Sequence, residues 1–550
     1  MTRKSSWWTT LVAATGAFIT LTWQTGAAVP KFSPDDPRAR EVDSHDASRL
    51  QPAEVSRMWS GWQAISHRSD RRPIRAMNVN TMDEVPDSSW FTNRIGREAL
   101  SVDAIARGPD TLSSPLSGPW TVVAGKIDGV TPGLQLKDGQ GRRFFVKFDP
   151  PGHDELASGA EVIVTKLLFA IGYWVPENYI GILRRDTLTL APDATYQGAD
   201  EQKRRMTAAD VDQVLSRAAR RSDGSYRVMA SLALKGRPIG PFRYVGVRSD
   251  DPNDIVAHEH RRELRALGVF AAWLNHVDVK SQNSLDTLVN ADGRMVTRHY
   301  LLDFGSTLGS GGTGPKEWRE GYEYATDQRT SLRAFATLGA HRPPWLRIRY
   351  PNLPGVGRIE SEHFQPERWK PTLPNPAFLN AQADDTFWAA QRVMAFSDEA
   401  IRAVVASGAF SDAQASQYLS QVLIERRDAI GRTWLTHLNP LTKPTVEPEG
   451  YFSFRNAASD ASVVDGRSQY QIRWSVFDNT THEATTLGSW STVSEPRGAI
   501  PNAPADSRFI LAEVRTIHPA HPLWARPVRA FFARTASQSW RPIGFESPSM

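Results

Sequence analysis

The chain has 550 residues, 40% apolar and 23% charged, with a net charge of +5. That is the make-up of a globular protein of about three or four folding units, neither disordered nor a multi-span membrane chain. The basic surplus is scattered, so the clustered stripe that nucleic-acid binding needs is missing, and with no cysteine at all, disulfide frameworks, thiol nucleophiles and cysteine-ligated metals are excluded.

Arg3 and Lys4 precede a mostly apolar run from Trp7 to Trp23 and then Gly26-Ala27-Ala28. This is the pattern of a secretory signal peptide over residues 1–28, cut after Ala28. Its removal takes two positive charges and no negative ones, leaving +3. No other stretch reaches the roughly 20 apolar residues needed to span a bilayer. A periplasmic or extracellular protein with no integral span is expected.

Residues 29–117 read as an N-terminal extension, rich in Asp, Arg, Pro and Ser, with a helix near Pro52–His67. It ends in Asp83–Phe91 and is too polar to form much core alone. Short β-like runs follow at Trp120–Ala124, Leu134–Lys137 and Arg143–Phe148. A helix is predicted over Glu155–Gly172, with Val162, Leu167, Leu168 and Ile171 at helical spacing. Strands resume at Tyr179–Leu183 and Thr187–Leu190, then a small helix at 207–219, a strand at Tyr226–Leu234 and a turn through Gly236–Pro241. Asp254 is placed to cap a long helix reaching Asn275. A strand over Arg298–Phe304 follows a loop, 307–380 reads as irregular, and 384–437 as helical. Beyond Pro440–Pro448, alternating runs at Tyr451–Phe454, Tyr470–Phe477, Phe509–Ile517, Val528–Arg534 and Ser539–Phe545 predict a β-sandwich-like module over 445–550.

Four features carry chemistry. Lys147 sits inside the apolar strand Phe144-Phe145-Val146-Lys147-Phe148, where an unpaired ammonium would be costly. Glu161 stands 14 positions on, in the predicted helix; Glu155, at the start of that helix, is the alternative partner. The third is His276-Val277-Asp278-Val279-Lys280-Ser281-Gln282-Asn283, and the fourth, with its Asp twenty positions after Asn283, is Leu302-Asp303-Phe304-Gly305. Asp followed by Lys at +2 and Asn at +5, then D-F-G at a strand end, resembles the catalytic loop and metal-binding triplet of the protein-kinase superfamily.

The resemblance covers about residues 120–435. It implies an α+β, bilobal kinase-like fold, with a β-rich N-lobe at 118–240 and a helical C-lobe at 241–437, followed by the all-β module. It implies ATP and Mg²⁺ as cofactors. Lys147 would hold the phosphates and Glu161 would hold Lys147. Gly125 and Gly133 would approach the nucleotide, Asn283 and Asp303 would ligate the metal, Asp278 would take the acceptor's proton, and Lys280 would neutralise the transferring group. There is no G-x-G-x-x-G before Lys147, Val277 stands where many kinases have Arg, and no A-P-E follows Gly305. The chain is therefore more similar to the atypical branch, including HipA-type, spore-coat-protein-H-type and secretory-pathway kinases. The acceptor, protein or glycan, does not carry over.

Competing motifs fail on spacing. His258-Glu259-His260 lacks the second histidine of H-E-x-x-H, since Arg262 stands there. Gly309-Ser310-Gly311-Gly312-Thr313-Gly314-Pro315-Lys316 approaches a phosphate loop, but Pro315 takes the place of its lysine, so a mobile loop is expected instead. Asp250–Asp254 reads as a turn and helix cap. The alternatives to an enzyme are a catalytically idle binding protein on the same fold, and an envelope protein that binds glycans through a Trp-rich surface and the β-module.

Overall fold

The computed structural model describes residues 29–54, 73–113, 116, 118–126, 132–197, 203–325, 336–337, 343–464 and 466–547. The leader at 1–28 and most of the helix expected near 52–67 lie outside these residues. The protein is α+β, and among the described residues no helix is long and apolar enough to cross a membrane.

Among the described residues the extension contains a short helix, α1 (Val102–Arg107), which the sequence did not suggest. Next come β1 (Trp120–Lys126), β2 (Gly133–Lys137), β3 (Arg143–Phe148), α2 (Leu156–Ile171), β4 (Asn178–Leu183), β5 (Leu188–Gln197), β6 (Lys203–Arg205), α3 (Ala208–Ser216) and β7 (Tyr226–Leu232). The strands make one sheet in the order β4-β7-β3-β2-β1-β5-β6, with β5 parallel to β1 and the other pairs antiparallel. Alternation along β3 sends Phe144, Val146 and Phe148 into a core shared with Val211, Val214 and Leu215 of α3. The same period of two turns Lys147 to the opposite face. On that face lies α2, nearly all of it buried. The Asp149 carboxylate caps α2 by accepting from Glu155 N and Ser158 N at 2.9 and 2.8 Å. The helix stops at Gly172, where φ is +141° and a Cβ would lie 2.3 Å from the Phe91 ring.

β8 (Arg237–Gly240) occupies part of the stretch expected to be a turn. The long helix expected from Asp254 begins only at Arg262: α4 spans Arg262–Leu274. Asp254 does not cap it, because its carboxylate is taken by Arg248 N at 2.6 Å and His258 Nε2 at 2.8 Å. The loop expected after α4 contains a strand the sequence hid, β9 (Ser284–Ala291), which pairs with β10 (Arg294–Leu301) and β8. The strand expected through Phe304 therefore ends at Leu301. The helical stretch after 383 is three helices, α5 (Ala383–Met394), α6 (Asp398–Ala406) and α7 (Ala413–Trp434). They share one large core with α2 and α4.

The tail carries β11 (Leu441–Val446), β12 (Tyr451–Asn456), β13 (Gln469–Phe477), β14 (Ala484–Thr486), β15 (Ser491–Val493), β16 (Arg497–Ala499), β17 (Phe509–Ile517), β18 (Val528–Arg534) and β19 (Trp540–Glu546). A three-stranded sheet, β11-β12-β16, and a six-stranded one built on β13-β17-β18-β19 close over a common apolar core. Among the described residues Trp90, Trp120, Trp273, Trp388, Trp434, Trp474 and Trp524 are buried, so these tryptophans fill cores instead of coating a surface. The extension packs onto other parts, as its polarity required. Phe32 inserts beside Phe477 and Phe531, and Leu50 packs on Ile239 and Leu288.

Candidate functional site

One cavity of about 920 Å³ is lined by Gly125, Gly133 and Lys147 from the large sheet, by Asp278–Asn283 and Asp303, and by residues 311–317, 319–320 and 373–376. Gly133 stands directly opposite Lys147 in the β2–β3 register. A Cβ on Gly125 would lie 2.5 Å from the Met206 methyl group, so this glycine makes room for a core side chain; only its backbone borders the cavity.

Lys147 Nζ donates to Asp303 Oδ1 at 2.7 Å and to Glu161 Oε2 at 3.3 Å. Glu161 Oε1 also accepts from Phe304 N at 3.1 Å, which ties α2 to the D-F-G turn. Gly305 leaves the space this needs, since a Cβ there would sit 3.0 Å from Glu161 Oε2. Glu155 is engaged elsewhere: its carboxylate accepts from Arg221 and from Ser411 N, so of the two candidates Glu161 meets Lys147. Burial works against the Lys147 ammonium, but Glu161 and Asp303 outweigh it and hold its pKa above the ordinary lysine value. Burial raises the Glu161 pKa, while Lys147 lowers that of Asp303.

The loop holding Asp278 is set by the end of α4. Asn275 takes a left-handed cap conformation (φ +46°), Trp369 Nε1 donates to its side-chain oxygen at 2.9 Å, and Thr372 N donates to Val277 O at 2.8 Å. Asn283 Nδ2 donates to Asp278 O at 2.8 Å and Asp278 Oδ2 at 3.2 Å, and Lys280 Nζ lies 2.8 Å from Asp278 Oδ1. Leu302 N donates to Asn283 O at 2.9 Å, which sets Asp303 beside Asn283; Asp303 itself has a left-handed backbone, φ +64°. Burial pulls the His276 pKa down to about 4, so the ring is neutral at ordinary pH, packed edge-on to Phe304 with Nδ1 unpartnered.

The donor set fits a magnesium–nucleotide by its chemistry. The Asp303 carboxylate is 48% exposed, and Asn283 spends its amide hydrogens on Asp278, leaving its amide oxygen as an acceptor. Hard oxygen donors of this kind, beside a fixed cation, suit Mg²⁺ and phosphate. Among the described residues no group of three or more His, Cys, Asp or Glu side chains is gathered to hold a metal. His258 and His260 bond Asp254 and Arg265 inside the protein.

All eight residues singled out in the sequence border this cavity or bond to a residue that does. The sequence missed its other walls. Residues 373–376 carry no motif, and within Gly309–Lys316, dismissed as a phosphate loop, residues 311–316 line the cavity in a turn hydrogen-bonded to Arg358. Comparison with known proteins finds no matching family model, no matching curated protein and no matching solved structure.

Proposed function

We propose that this chain is an exported, ATP- and Mg²⁺-dependent phosphotransferase of atypical kinase type. The observation that carries the reading is the meeting of Lys147, Glu161 and Asp303 in a cavity that also contains Asp278, Lys280 and Asn283. Phosphoryl transfer needs a fixed cation on the phosphates, oxygen ligands for the metal and a carboxylate at the attacking hydroxyl, and this set holds all three. Lys147, steadied by Glu161, binds phosphate oxygens; Asp303 and Asn283 hold Mg²⁺, which shields charge between the phosphates; Asp278 orients the acceptor hydroxyl. A β-rich half and a helical half bordering one cavity suit a bilobal kinase-like fold, with the C-terminal β-module as an addition that positions the enzyme on its partner. The lead residues 1–28 supply the export signal.

The test is binding and turnover together. Purified full-length chain is titrated with ATP and Mg²⁺ by calorimetry, and phosphate transfer or nucleotide hydrolysis is compared with that of Asp303→Ala. Metal-dependent binding that the substitution abolishes is expected; equal binding and turnover in both proteins would reject the site.

A second reading, a nucleotide-binding protein without catalysis, draws support from the way Asp278 is already engaged by Lys280 and Asn283. Tight magnesium–nucleotide binding with no phosphate transfer to any protein or glycan acceptor offered would select it.

A further inference from the structure

The cavity extends past its central charge cluster, and the wall from Gly311 to Glu320 comes from the segment that follows D-F-G. That segment is held tightly. Lys316 N and Arg358 N both donate to Gly309 O, at 2.8 and 3.0 Å, and the Arg358 guanidinium donates to the carbonyls of Pro315 and Lys316. Ser310 Oγ donates to Gly305 O at 2.8 Å, linking the staple to the D-F-G turn. At Gly309 φ is +72° and a Cβ would lie 2.2 Å from the Arg358 carbonyl carbon, so only glycine closes this turn. The backbone of Lys316 is thereby fixed. Its stem crosses Gly311, where a Cβ would stand 3.6 Å from Lys316 Cδ and 3.7 Å from Cε. The charge it carries is felt at His276, two residues before Asp278.

Of the other cations lining the cavity, Lys147 has Glu161 and Asp303, Lys280 has Asp278, Arg319 has Glu317 at 3.2 Å, and Arg243 is exposed to solvent. Glu320, the remaining acid of this wall, accepts from Thr372 Oγ1 at 3.0 Å. Lys316 is half-buried and has no carboxylate partner among the described residues. A half-buried lysine on a fixed backbone in a concave wall favours an anion beside it.

Resting on the phosphotransfer reading, we propose that Lys316 is a specificity-determining residue that holds an anionic group, phosphate or carboxylate, carried by the acceptor near its reacting hydroxyl. In the transfer the acceptor oxygen bonds the γ-phosphorus, the bond from that phosphorus to the bridging oxygen breaks, ADP leaves with the electron pair, and the hydroxyl proton passes to Asp278. Lys316 takes no part in those bonds; it selects and orients what enters.

The experiment uses the full chain with Mg²⁺ and a saturating non-hydrolysable ATP analogue, titrated with inorganic phosphate and, in a second arm, acetate. Binding of one or both anions is expected in the wild type, weakened at least about tenfold in Lys316→Ala as one charge-assisted hydrogen bond is lost. Lys316→Arg should restore it, and the analogue's own affinity should stay within about twofold throughout. Anion affinity unchanged in Lys316→Ala, or no anion binding beside the analogue, overturns the proposal and leaves the phosphotransfer reading standing. An analogue affinity that falls as far as the anion's makes Lys316 a nucleotide ligand and likewise overturns it. Failure of the wild type to bind the analogue at all defeats the phosphotransfer reading itself.

Discussion

Two clusters of opposite charges in this molecule are built from the same kinds of groups. In the first, Lys147 meets Glu161 and Asp303 with side-chain exposures of 35%, 3% and 48%. In the second, Arg262 at the start of α4 reaches Asp385 at 3.0 Å, Asp83 at 2.7 Å and Asp384 at 2.5 Å, with its own side chain at 0%. Arg265 adds a second contact to Asp385 at 3.2 Å. The sealed cluster joins three stretches far apart in sequence: the extension, α4 and the start of α5. The open one faces a cavity, where under the proposed function a metal and phosphates would take the place of the protein's own partners. Burial thus separates charges that hold the chain together from charges free to exchange partners.

The sharpest break of this contrast is Arg262→Ala. It removes the one buried cation that all three carboxylates share, leaving Asp385 to Arg265, and Asp83 and Asp384 to the more exposed Arg75. Burial already raises the pKa of Asp385 even with Arg262 and Arg265 beside it. A loss of about 3–5 kcal/mol in unfolding free energy is expected, read by chemical denaturation. The matching change in the open cluster, Asp303→Asn, should act on turnover instead: about 10²–10³-fold, the scale set by removal of one electrostatic contact to a transition state. Its unfolding midpoint should barely move, because Lys147 keeps Glu161 and Asp303 is half in solvent. If Asp303→Asn unfolds the protein while Arg262→Ala spares it, the distinction between the clusters is wrong.

Much of the open cluster was legible in the sequence, and the sealed one was not. Lys147, Glu161, Asp278, Asn283 and Asp303 stand at spacings that survive folding because each is fixed by a local element: a strand, a helix, or a loop directly after one. The Arg262 cluster joins residues 83, 262 and 384–385, and nothing in local periodicity marks such a meeting. The same reason explains the misplaced start of α4. Asp254 looked like a cap because Asp caps helices locally, but His258 and Arg248 N claim its oxygens once the chain folds. β9 was hidden because Ser284–Ala291 is buried on most positions and shows no clean alternation. The Gly309–Lys316 turn was dismissed by motif matching, although its glycines are needed where the backbone passes against Arg358.

His276 sharpens the contrast through pH, since it is buried at the open site and burial outweighs the pull of the Asp278 and Asp303 carboxylates. Its folded pKa, about 4, lies below the 6.5 of an exposed imidazole. The unfolded chain therefore binds more protons between these values, and stability falls as pH drops from 6.5 towards 4 and then levels off. The full span is no more than about 3 kcal/mol. Denaturation of wild type and His276→Gln from pH 8 to pH 4 should show the two curves converging on acidification, as the wild type alone loses this contribution. Parallel curves would mean the ring is protonated as easily folded as unfolded.

The smallest effect concerns the seam between the extension and the β-module, which among the described residues contains no ion cluster beyond Lys31–Glu546 at 2.6 Å. There Thr81 Oγ1 donates to Ile543 O and Phe545 N donates to Thr81 O at 2.7 Å, so residue 81 bonds β19 through both its side chain and its backbone. Thr81→Val keeps the shape and the backbone bond and removes only the hydroxyl. The cost should be about 1 kcal/mol, the net value of one neutral hydrogen bond. Because the Thr81 hydroxyl bond is neutral, this cost should not change between low and high salt, whereas that of Arg75→Ala, with Asp83 2.6 Å away at the exposed margin of the Arg262 cluster, should shrink as salt rises. A salt-sensitive Thr81→Val would show that the seam is held by charge after all, and would erase the difference between the two ways this extension is fastened.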